Sequence, residues 1–147
     1  MLWLSIHPKY VDAILAGEKS IELRRRKPRI SEGPALIYAT SPRMELVASA
    51  WISSVTHTSL DSLWKIAKES AAVSRSDFRD YFDGLSKGTG LHLDRIQPFA
   101  KPIGLPRLRE IWQGFQPPQG FRYIDGVQVA SLSRLTNLSG SSPLAAA

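Results

Sequence analysis

Apolar and polar positions along this chain change period several times, and each change marks an element. Leu2 to Ile6 is a short apolar run that suits one buried strand. Val11, Ile14 and Leu15 then recur at i, i+3 and i+4, the stripe of an amphipathic helix over Pro8 to Ala16. Pro8 fits its first turn, and Gly17 fits the left-handed position after its last. Ser20 to Arg24 alternates, with Ile21 and Leu23 facing one way and Ser20, Glu22 and Arg24 the other. Pro28 to Pro34 reads as a turn region, and Ala35 to Thr40 as a nearly continuous apolar strand. Ser41-Pro42-Arg43 breaks that strand. Leu46 to Val55 is a long strand whose Ala48, Ser49, Ala50, Ser53 and Ser54 point to tight packing and a bulge.

Two helices are predicted next. Ser59 caps the first, with Leu60, Leu63, Trp64 and Ala67 on one stripe. Ser74 caps the second, with Asp77 in a capping-box position and Phe78, Tyr81 and Phe82 along its length. Gly84 terminates it. Gly88 to Ile96 returns to strand, and Pro98, Pro102 and Pro106 punctuate the chain beyond. Leu105 to Trp112 reads as a short helical segment, Pro117 to Phe121 as a loop and Val127 to Leu132 as a last short strand. Thr136 to Ala147 is small and polar and reads as a frayed tail. The expectation is one domain over residues 1–134 and a disordered tail over 135–147. Strands grouped around one helical insertion predict an α+β domain: a small mixed sheet or partly open barrel with helices at its mouth.

Composition narrows the chemistry. The 147 residues fit one domain with a real core. No apolar run approaches the roughly 18 residues that cross a bilayer, and the first eight residues read as a strand rather than a signal peptide. The chain has no cysteine, which excludes disulfides, thiolate metal sites and cysteine nucleophiles and makes the cytoplasm the expected compartment. His7, His57 and His92 are far apart, so no metal site or cofactor is expected. Walker, dinucleotide and G-x-S-x-G patterns are absent. The net charge of +6 favours a polyanion: RNA, DNA, a nucleotide or an acidic membrane surface.

That charge is concentrated between Gly17 and Pro28. Strand alternation places Arg24 and Arg26 on one side and Arg25 on the other, so one side can line a cleft while the other meets solvent. Arginine suits phosphate because its planar fork donates two parallel hydrogen bonds. A solvated edge strand carries similar charge to block unwanted pairing. Lys19 and Glu22 are either a structural ion pair at the helix–strand junction or ligand groups. In the second case Glu22 accepts from a base amine, and a buried Lys19 with a lowered pKa serves as a base. If the protein is an enzyme, these two are the candidate catalytic residues. Most of the aromatic side chains are expected in the core. Tyr38, at a strand end beside Thr40-Ser41-Pro42, is the better candidate for stacking on a base, and Ser41 for a phosphate or base edge. His7 precedes Pro8 at a helix start, where a neutral ring can cap the helix or bond a ligand.

The ordered set Ser5-Ile6-His7-Pro8, Ile14-Leu15-Ala16-Gly17-Glu18-Lys19 and Ile21-Glu22-Leu23-Arg24-Arg25 resembles the ASCH domain, a branch of the PUA-like superfamily. Its G-x-K-x-x-E-x-R pattern is met by Gly17, Lys19, Glu22 and Arg24. The likeness continues through Ile37 to Pro42, Tyr81 to Gly84 and Pro117 to Phe121. The resemblance implies a PUA-like mixed β-barrel with helices flanking its mouth. It also implies a basic cleft that binds RNA or a modified nucleoside, with Lys19, Glu22 and Arg24 in it and Ser41 and Tyr38 beside it. A binding module, open to a regulatory role, is the first expectation, with DNA as an alternative ligand.

Some members resemble amidohydrolases of N4-acetylcytidine. Their pattern has a threonine nucleophile where this chain has Glu22, so Ser20 would have to replace it and Glu69 to supply the acid. Other members are ribonucleases, for which Lys19, Glu22, Arg24 and a tyrosine provide acid–base groups. A protein-interaction domain with an incidental basic face is the remaining alternative.

Overall fold

The computed structural model describes residues 1–136. Its order is β1 (Leu2–Ile6), α1 (Pro8–Leu15), β2 (Ile21–Arg24), β3 (Gly33–Ala39), β4 (Glu45–Ser59), α2 (Leu60–Ala67), α3 (Arg75–Tyr81), β5 (Lys87–Gly104), α4 (Leu105–Ile111), β6 (Phe121–Tyr123) and α5 (Gly126–Thr136). The six strands form one sheet in the order β2-β5-β4-β3-β1-β6. Only β1 and β3 are parallel; every other pair is antiparallel. The result is an α+β, PUA-like fold in which the sheet curls into half a barrel.

Strand alternation divides the core. Leu2, Leu4 and Ile6 of β1 and Ala35, Ile37 and Ala39 of β3 pack with Val11 and Ile14 of α1 on one face. Trp3, Leu36 and Tyr38 point to the other face, where Leu105 and Leu108 of α4 and Val129 and Leu132 of α5 cover them. A third cluster joins Ile21 and Leu23 of β2 to Leu63, Ala67, Phe78 and Phe82. Packing there is close: a Cβ on Gly88 would lie 2.5 Å from the Phe82 ring. The side chains of Ser59 and Ser74 cap α2 and α3 as expected, accepting from the backbone N–H groups of Ser62 and Asp77.

Two expectations fail. β5 does not stop at Ile96 but continues past Pro98 and Pro102 to Gly104. The register breaks there: Leu46 faces Ile103 while Ala48 faces Pro98, so Pro102 lies outside the ladder and Pro98 sits at the edge of the break. Arg95, at φ +48°, sits at a second break, between the pairs Ser49–Gln97 and Trp51–Asp94. Val127 to Leu132 is not a strand; it belongs to α5. Its near-alternation of apolar residues imitates period two, but Val129 and Leu132 stand one helical turn apart and share the second core. The last strand is instead β6, which pairs with β1. The tail expected beyond α5 lies outside the described residues.

Candidate functional site

A cleft of about 230 Å³ opens between the end of β1, the first turns of α1, the strand β2 and the helix α3. The fold builds it in a few steps. His7 is the N-cap of α1, where its Nδ1 accepts from the Lys9 N–H at 3.1 Å and its proton is therefore on Nε2. After α1 the chain turns at Gly17, whose φ of +78° only glycine adopts without strain. Ser20 and Ile21 then donate their N–H groups to Ser70 O, which ties β2 to the α2–α3 connection. Lys19 is drawn into the same junction. Its Nζ donates to Ala71 O at 2.6 Å and lies 4.9 Å from the Tyr10 ring centroid.

Alternation in β2 does what the sequence predicts. Ile21 and Leu23 enter the third core, while Glu22 and Arg24 turn the other way into the cleft lining. Glu22 stands between two cations, its Oε2 3.8 Å from Lys19 Nζ and its Oε1 3.6 Å from Arg24 Nη2. Arg24 also donates to Ser5 O at 2.9 Å. All three side chains are more than nine-tenths buried. Burial lowers the Lys19 pKa, which the Glu22 charge opposes. Tyr10 and Tyr81 are held above the ordinary phenol value by burial; Asp77 and Glu22 add to the effect at Tyr10.

The structure brings together Lys19, Glu22, Arg24 and His7, and leaves out the other predicted site residues. Arg26 does not follow Arg24 into the lining, because β2 ends at Arg24 and the alternation ends with it; Arg26 is exposed on the turn beyond. Tyr38 faces the second core, with its ring 5.1 Å from Trp3. Ser41 is exposed in the turn after β3, outside the lining. Ser20 and Glu69, which the amidohydrolase reading needs, are also exposed and outside it.

Sequence reasoning misses Asp77, Tyr10, Phe78, Tyr81 and Gln119, all of which line the cleft. Asp77 has a signal, its capping-box position, but that signal explains a helix start and not a ligand site. The lining therefore holds Lys19 and Arg24 against Glu22 and Asp77, a mixed rather than uniformly positive set. Of the remaining cations in this segment, Arg25 donates to Tyr81 O and Asp83 O, and Arg29 lies over the Tyr123 ring. Among the described residues no three His, Cys, Asp or Glu side chains are grouped to hold a metal ion, and no helix is long and apolar enough to cross a membrane.

A half-barrel mixed sheet with an ionic cleft beside its second strand defines a PUA-like domain. More narrowly, residues 4–114 match the ASCH domain family, and the chain belongs to it. An ASCH domain-containing ribonuclease of Zymomonas mobilis is 34% identical over 139 residues, covering 91% of this chain and 90% of its own. The crystal structure of ASCH from Zymomonas mobilis superposes with a TM-score of 0.86 at 33% identity, over 92% of this chain and 94% of that one. The N-terminal domain of McrB from Staphylothermus marinus shares the fold at a TM-score of 0.57 and 12% identity, over 90% and 92% of the two chains.

Proposed function

We propose that this protein binds single-stranded RNA and takes one nucleotide into the cleft. The observation that carries the reading is the convergence of Lys19, Glu22 and Arg24 on one opening, lined also by the rings of Tyr10, Phe78 and Tyr81. Splayed RNA bases are held in this way, by aromatic faces and hydrogen bonds to their edges. The cleft is smaller than the roughly 300–1,000 Å³ of drug-sized sites, which suits a single base. Arg24 and Lys19 hold phosphate or ribose, and His7 offers an Nε2 donor at the rim. Arg26 and Lys27 are exposed on the neighbouring turn and meet the flanking phosphates. The similarity to a ribonuclease over most of both chains favours RNA over DNA.

Salt dependence tests this. Fluorescence anisotropy with a single-stranded RNA should give affinity that falls steeply with salt. Replacing Arg26 and Lys27 together by alanine should flatten the log–log slope by about 0.7 for each phosphate no longer held. Absence of binding at low salt rejects the reading.

Ribonuclease activity is a second reading, favoured by the relative's activity and by the lowered Lys19 pKa. In this reading the neutral Lys19 amine takes the proton of a ribose 2′-hydroxyl. The 2′-oxygen attacks the adjacent phosphorus and the P–O5′ bond breaks, leaving a 2′,3′-cyclic phosphate. Tyr10, kept protonated by burial and the carboxylates near it, gives its proton to the departing 5′-oxygen. Arg24 stabilises the charge that builds on the phosphate.

A further inference from the structure

The charges in the cleft carry a specificity that its net charge does not. A site made only for phosphate would present donors. This one presents two carboxylates as well, Glu22 from β2 and Asp77 from α3. An ionised carboxylate only accepts hydrogen bonds. Glu22 is 7% exposed, and its Oε2 has no hydrogen-bond partner. The Glu22 χ3 torsion is broad, so either oxygen can turn to the opening. The Asp77 carboxylate has neither a hydrogen-bond nor an ion-pair partner among the described residues. The donors nearest Glu22 are partly committed elsewhere, Lys19 to Ala71 O and Arg24 to Ser5 O. Glu22 Oε2 and Arg24 Nε are therefore a buried acceptor and a buried donor that both lack a hydrogen-bond partner, and such groups are costly until something pairs with them.

We infer that the cleft selects bases bearing an exocyclic amino group and disfavours uracil, the donors missing from Glu22 and Asp77 being supplied by the base. This rests on the RNA-binding reading above. Cytosine and adenine each place an amino group beside a ring nitrogen acceptor, and guanine places its amino group beside N1–H. Uracil offers one N–H, at N3, flanked by two carbonyl oxygens that a carboxylate repels. The remaining donors of Arg24 and the amide of Gln119 are available to the acceptor side of the base edge.

The test compares the RNA hexamers C6, A6 and U6 by fluorescence anisotropy at one fixed salt concentration. C6 and A6 should each bind about tenfold or more tightly than U6, the discrimination of one well-made edge contact. C6 against U6 is the cleaner pair, since the two rings have the same size. Asp77→Asn should narrow the C6-to-U6 ratio by several fold, because an amide can donate to a uracil carbonyl. Asp77 is exposed, so this variant does not depend on a buried charge for folding. Glu22→Gln should narrow the ratio in the same direction. Equal binding of C6 and U6 by the unaltered protein overturns the inference and leaves RNA binding standing. A preference that survives intact in Asp77→Asn also overturns it. No binding of any hexamer at low salt overturns both readings.

Discussion

Glu22→Leu should destabilise the fold by about 3–5 kcal/mol, the cost of breaking a buried ion cluster from one side. Lys19 and Arg24 both lie within 4 Å of the Glu22 carboxylate and are at least as buried as it is. Removing the carboxylate leaves two like charges in a low-dielectric junction. Arginine keeps its charge, so the relief must come from Lys19. Its pKa is already lowered by burial and loses the opposing Glu22 effect in the variant. Between that depressed value and the ordinary 10.5 of an exposed lysine, the unfolded chain binds the extra proton. The variant should therefore regain stability as pH rises through that window. Chemical denaturation at two pH values measures both effects. A loss under about 1 kcal/mol, as for an exposed pair, would show that the cluster is solvated and that the cleft is not organised around Glu22.

In the ribonuclease reading, Lys19→Arg should lower RNA cleavage by about 10²- to 10⁴-fold while leaving RNA affinity nearly intact. The guanidinium keeps the positive charge but does not become a base at ordinary pH. In the unaltered protein the single-turnover rate should rise with pH as the Lys19 amine loses its proton, below the pH at which an exposed lysine would do so. Lys19→Arg should remove this rise. Cleavage retained in Lys19→Arg would make Lys19 a phosphate-holding residue only.

The cleft is partly legible in the sequence because its centre is local. A helix closed by Gly17 and followed at once by an alternating strand places Glu22 and Arg24 on one side of β2, and Lys19 at the junction, two residues before β2 begins. Such geometry depends on periods of 3.6 and two, which the sequence displays directly. Tyr38 is misplaced for a related reason. Its own strand is clear, but which face meets the cleft depends on the pairing of β3 with β1 and on the helices α4 and α5 beyond it. Asp77 is invisible as a site residue because 55 positions separate it from Glu22, and only the packing of α3 over β2 joins them. The α5 segment is ambiguous because its apolar spacing is mixed: Val127 and Val129 fit period two, Val129 and Leu132 fit a helical turn, and only the second core, which takes Val129 and Leu132, favours the helix.

Titration of ¹⁵N-labelled protein with a single-stranded RNA hexamer tests the central claim most directly. Amide shift changes should gather at Ser5 to Tyr10, Lys19 to Arg24, Val73 to Tyr81 and Gln119, the segments that form the cleft. Changes gathered instead around the depression lined by Trp112, Gln116, Arg122 and Gln128, or no changes at low salt, would contradict it.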